Sequence, residues 1–156
     1  MLSRRGFLAA AVIGIQTPGS VVRAATTEQI VTNRHNGVAI NGFDPVAYFL
    51  DGTATLGKDA IEHTFAGVVW RFHNEGNLAV FIADPDAYIP RFGGYDPVGV
   101  ARGVAMPGDP RLWVLSNDRL YLFCSPEARN NFAGDARRVL TTADRKWPAV
   151  QLTLSP

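Results

Sequence analysis

Cys124, His73 and two Asp-Pro steps are where this chain could do chemistry. Cys124 is the sole cysteine and His73 is one of three histidines. Each stands just before a helix start signal, Asn74-Glu75 after the histidine and Ser125-Pro126 after the cysteine. A thiol at the positive end of a helix dipole is expected to have a lowered pKa and to favour the thiolate that attacks electrophiles or binds metals. The carboxylates come from a phrase used twice, Gly42-Phe43-Asp44-Pro45-Val46 and Gly94-Tyr95-Asp96-Pro97-Val98. A Cys–His pair completed by Asp44 or Asp96 suits copper or zinc. The competing reading makes Cys124 a small buried hydrophobe and the aspartates turn caps.

The elements that would position these groups also come in duplicate. From residue 57 the chain can be laid on itself at an offset of 51, pairing Gly57 with Gly108, Ile61 with Leu112, Trp70 with Tyr121, Phe72 with Phe123, Phe81 with Phe132 and Asp84 with Asp135. The Asp-Pro phrase repeats at an offset of 52. Each copy reads as a strand, a turn (Ala66-Gly67 or Ser116-Asn117-Asp118), a second strand and a helix. The expected fold is one α+β domain over 40–150, treble-clef-like, built as an internal duplication with units at about 42–89 and 94–140. A polar lead-in at 26–39 precedes it and a tail at 151–156 follows. At the offset of 51, Cys124 falls on His73, so packing about a pseudo-twofold axis would bring these two residues together.

Residues 1–25 have a charged start with Arg4-Arg5, an apolar run from Phe7 to Ile15, and small residues before Ala24 and Ala25. That is the pattern of a signal peptide, and Ser3-Arg4-Arg5-Gly6-Phe7-Leu8 resembles a twin-arginine export signal, which points to the periplasm. Cleavage after Ala24 or Ala25 removes three arginines and no acids, so the formal charge falls from +1 to −2. A charge of this size gives no reason to expect a nucleic-acid partner. No run of residues is long and apolar enough for a membrane span. With one cysteine, the mature chain can form no internal disulfide.

The phrases FDPVAYF, DPDAYIPRFGGY, DPRLWVL, DRLYL and ADRKWP, in that order, resemble exported proteins of the YHS-domain family over roughly residues 40–150. The resemblance implies a small treble-clef-type fold related to cysteine-rich metal-binding modules, with copper or heavy-metal handling in the cysteine-bearing members. The chain departs from that pattern at three points. Ala47 and Ala128 stand where metal-binding members carry Cys, and Asp96 stands where the exported branch is expected to carry Cys. Only Cys124, within Phe123-Cys124-Ser125, carries over as a metal-ligand position. A closed all-thiolate site within one chain is excluded by count.

Arg91-Phe92-Gly93-Gly94-Tyr95 is the most pocket-like loop, with an arginine, two glycines and two aromatics. Tyr48, Trp70, Trp113 and Tyr121 read as core, His35 and His63 as surface or turn residues, and Met106 as a loop residue with no second Met nearby to make a copper site. No G-x-S-x-G, phosphate loop, H-E-x-x-H or C-x-x-C is present. Three readings remain. The leading one is a transition-metal module for copper or zinc, with His73, Cys124, Asp96 and Asp44 as donors. The second is a module for a small ligand or a periplasmic protein partner, lined by Arg91, Tyr95 and Asp96. The third is an enzyme dependent on the Cys124 thiol.

Overall fold

The structure is a computed structural model that describes residues 29–154. The signal peptide expected at 1–25 lies outside the described residues. The fold is α+β, with two antiparallel hairpins each followed by a helix.

In the first unit, a short helix α1 (Ala47–Leu50) leads to strands β1 (Lys58–Phe65) and β2 (Val68–Phe72), then helices α2 (Glu75–Ala83) and α3 (Pro85–Tyr88). In the second unit, α4 (Pro97–Arg102) leads to β3 (Asp109–Ser116), β4 (Arg119–Phe123) and α5 (Pro126–Gly134), and α6 (Ala136–Leu154) closes the chain. The hairpins turn at Ala66-Gly67 (φ 52° and 76°) and Asn117-Asp118 (φ 50° and 55°). Two consecutive positive φ values give the turn twist that suits the right-handed twist of paired strands. Asn74 caps α2 by accepting from the Asn77 amide, and Ser125 caps α5 by accepting from the Ala128 amide, with Pro126 in the first turn.

The repeat extends to irregularities. Pairing slips between Lys58 and Glu62 in β1 and between Asp109 and Trp113 in β3, at positions 51 apart. Ile40, Asn41 and Gly42 all have positive φ, and so do Phe92, Gly93 and Gly94, 52 residues later. The tightest of these positions is Gly93. Its φ is +63°, and a Cβ there would come within 1.8 Å of the Gln29 carbonyl oxygen, so only glycine fits. This close approach lets the Val31 amide donate to the Gly93 carbonyl at 2.8 Å.

The lead-in is more than a polar approach to the domain. Val31, Val38 and Ala39 are buried, and Ala39 donates to the Val69 carbonyl. The expected tail is also structured, because α6 runs on through Leu154. Val139, Ala143 and Val150 form the buried stripe of α6, at spacings of four and seven.

Each hairpin buries its aromatics against its own helix. Phe81 of α2 meets Trp70 and Phe72 at 5.4 and 5.1 Å, and Phe132 of α5 meets Tyr121 and Phe123 at 5.3 and 5.1 Å. The units then share β4. Its Tyr121 and Phe123 join the core of the second unit, while Leu120 and Leu122, on the other face, join that of the first. Tyr48 locks this seam by donating to the Pro110 carbonyl at 2.8 Å and meeting Trp113 edge-on at 5.2 Å.

Candidate functional site

Asp44 and Asp96 occupy the same place in the two units. Each is almost wholly buried, at 0% and 1% exposure, and each receives the backbone amide of the residue just after the hairpin. What surrounds the two carboxylates differs.

In the first unit, Asp44 Oδ1 accepts from the amides of Val46 at 2.9 Å and Ala47 at 3.3 Å, which starts α1. Oδ2 accepts from the His73 amide at 2.9 Å, from His73 Nδ1 at 2.9 Å and from Asn77 Nδ2 at 2.8 Å. The tautomer follows from the helix cap. Asn74 Oδ1 is committed to the Asn77 amide, so its Nδ2 faces His73 Nε2 at 2.7 Å and donates to it. Nε2 is therefore the acceptor, and Nδ1 carries the proton given to Asp44. Asn77 Nδ2 also lies 3.2 Å from Nδ1, but that nitrogen has no free lone pair, so the bond to Asp44 is the one that counts. Five donors fill a carboxylate that has about four lone-pair sites. Neither Asp44 nor His73 can ligate a metal without breaking this network.

In the second unit, Asp96 Oδ1 accepts from the Val98 amide at 2.8 Å, and Oδ2 accepts from the Cys124 amide at 3.1 Å. The Cys124 thiol takes the place of the histidine ring and also donates to Asp96. Burial, followed by this hydrogen bond and the charge of Asp96, pushes the Cys124 pKa up to about 11. The helix position had predicted a lowered value. The nearby carboxylate and the loss of water outweigh the dipole, so the thiol stays protonated at neutral pH and is a poor nucleophile.

The third donor is absent here. Ala128 stands 51 residues after Asn77, and no amide reaches Asp96 at that point. The space left open is part of a cavity of about 410 Å3 whose wall includes Asp96, Gly99, Arg102, Met106, Cys124 and Ala128. A second cavity of about 230 Å3 adjoins it, sharing Val98, Arg102 and Asn131 and adding Arg138 and Val139.

The four expected metal donors therefore sort into two pairs, Asp44 with His73 and Asp96 with Cys124, one in each unit. Among the described residues, no three His, Cys, Asp or Glu side chains come together to hold a metal. His73 is hydrogen-bonded to Asp44 and Cys124 to Asp96, each within its own unit.

Of the expected ligand-binding residues, Asp96 lines the cavity, while Arg91 and Tyr95 turn toward α6. Arg91 forms an ion pair with Asp144, and Tyr95 packs on Trp147 with ring centroids 6.1 Å apart. These two residues fasten α6 to the second unit. Sequence reasoning missed Arg102 and Asn131 and dismissed Met106. A signal for the opening was present, because the offset of 51 puts alanine opposite asparagine. No family model, curated protein or solved structure matches the chain.

Proposed function

We propose that this chain is an exported, YHS-like binding module whose working site is the second-unit cavity. The observation that carries this reading is the exchange of Asn77 for Ala128 at equivalent positions. Asn77 fills the place beside Asp44, whereas Asp96 and Ala128 lie together on the wall of a cavity of about 410 Å3. The space is concave, partly apolar and has a few polar groups converging on it, as small-molecule sites do. Export through the Arg4-Arg5 signal belongs to the same proposal and rests on the sequence. A thiol whose pKa is pushed up to about 11 by burial and by Asp96 argues against the thiol-dependent enzyme.

A metal reading has one specific observation in its favour. Met106 and Cys124 line the same cavity, and a thioether with a thiol is a soft donor pair that suits copper(I) better than zinc. His73 and Asp44 have no part in this version.

Native mass spectrometry of the mature protein, exported through its own signal, tests both readings beside the Ala128→Asn variant. The proposal expects an organic mass bound to the native chain and missing from the variant. Copper bound to the native chain and lost from Cys124→Ala and Met106→Leu would establish the metal reading instead. A native chain carrying no bound mass, even after copper, zinc and periplasmic extract are offered, would overturn both.

A further inference from the structure

Resting on the reading of the cavity as the binding site, we propose that its occupant is a small elongated zwitterion, with an ammonium at one end and a carboxylate at the other. The first end is argued from the repeat. Asp44 Oδ2 receives a backbone amide, a ring N–H and the Asn77 side-chain amide. Asp96 Oδ2 receives the matching backbone amide and, in place of the ring, the Cys124 thiol. Ala128 supplies nothing in place of the Asn77 amide, while Asp96 faces the cavity at that point. A nearly fully buried carboxylate whose Oδ2 has one fewer donor than that of its twin is matched by a ligand that brings an N–H.

The opposite end is argued from charge. Arg102 lines both cavities and, among the described residues, makes no ion pair or side-chain hydrogen bond. In the first unit the equivalent position, 52 residues earlier, is the uncharged Leu50. Arg138 faces the adjoining cavity and is held only through its Nε by Asp135, at 3.0 Å. Two guanidinium groups beside a floor of Val98, Ala101 and Val139 suit a carboxylate on an aliphatic chain. Glu127, at the rim, disfavours a ligand that is only anionic.

Helix α4 sets the length. Asp96 caps its start and Arg102 is its last residue, six positions later, so the two lie about 9 Å apart along the axis. That span fits an ω-amino acid or a dipeptide better than an α-amino acid.

The test is an NMR and calorimetric titration of the mature protein with 6-aminohexanoate, Ala-Ala, glycine, hexanoate and hexylamine. The expected result is saturable binding of 6-aminohexanoate or Ala-Ala at least tenfold tighter than that of the other three. Arg102→Ala should weaken it by about tenfold, Ala128→Asn should abolish it, and Asn77→Ala should leave it intact. A dipeptide preference over 6-aminohexanoate would assign the site to peptides, and the reverse to free amino acids, with the zwitterion class upheld either way. Equal binding of hexanoate or hexylamine, no binding of either zwitterion, or indifference to Arg102→Ala would overturn the zwitterion. The cavity reading would survive those results if native mass spectrometry still showed a bound mass lost in Ala128→Asn.

Discussion

Asp44 sits in the first unit among two helix amides, the His73 amide, the His73 ring and the Asn77 side chain. Asp96 sits in the second unit on the same backbone with a helix amide, the Cys124 amide and the Cys124 thiol. One copy is closed and the other opens on a cavity. The difference teaches that a repeated scaffold can keep its turn and cap chemistry in both copies while the surroundings of the shared aspartate are filled in one and open in the other. The substitutions that separate them are few: His73 to Cys124, Asn77 to Ala128 and Leu50 to Arg102.

If the first unit is the structural copy, removing its aspartate should cost more than removing its twin. Asp44→Ala strands five donors, three of them buried, and should cost about 3–5 kcal/mol, while Asp96→Ala, beside a cavity that admits water, should cost about 1–3 kcal/mol. Urea unfolding of the two variants checks this, and equal losses would break the comparison. The aromatic cores should rank in the same order. Phe81 meets four rings, those of His63, Phe65, Trp70 and Phe72, and Phe132 meets two. Phe81→Ala should fall at the upper end of the roughly 3–5 kcal/mol typical of such truncations, and Phe132→Ala at the lower end.

The Cys124 thiol sharpens the contrast through pH. Its folded pKa of about 11 lies above the ordinary value of 9.0, so it adds stability that is complete below pH 9 and is lost as pH rises through 11. Cys124→Ala should therefore lose less stability than the native chain between pH 9 and 11. Alkylation of the native thiol by iodoacetamide should keep accelerating up to about pH 11. Asp96→Asn removes two of the causes of the raised pKa, and each unit of fall would speed alkylation at pH 8 about tenfold. A native midpoint near 9 would show that Asp96 does not hold the thiol proton. Ala128→Asn has the smallest expected effect. It adds an amide where Asp96 can receive one, so stability should change by less than about 1 kcal/mol.

Much of the scaffold was legible in the sequence because its signals are local. Both hairpin turns, the Asn74 and Ser125 caps and the core places of Trp70 and Tyr121 follow from residues within a few positions of one another. The offset of 51 was visible as well. Helix α6 was missed because Pro148 and the polar run around Asp144-Arg145-Lys146 interrupt a stripe that only Val139, Ala143 and Val150 mark. The site was hidden for a different reason. The bond from Asp44 to His73 spans 29 residues and that from Asp96 to Cys124 spans 28, and no local periodicity reports such contacts. The sequence did hold the pairs; the repeat was read as bringing His73 to Cys124, when each belongs to the aspartate of its own unit.

The central claim is that Ala128 leaves an open place for an N–H donor beside Asp96. An NMR titration with acetamide tests it most directly, because acetamide is the Asn77 side chain without its backbone. The account predicts saturable shifts at Cys124, Met106 and Ala128 in the native chain. These should vanish in Ala128→Asn and be joined by shifts around Asp44 in Asn77→Ala. Shifts in the native chain that persist unchanged in Ala128→Asn would contradict it.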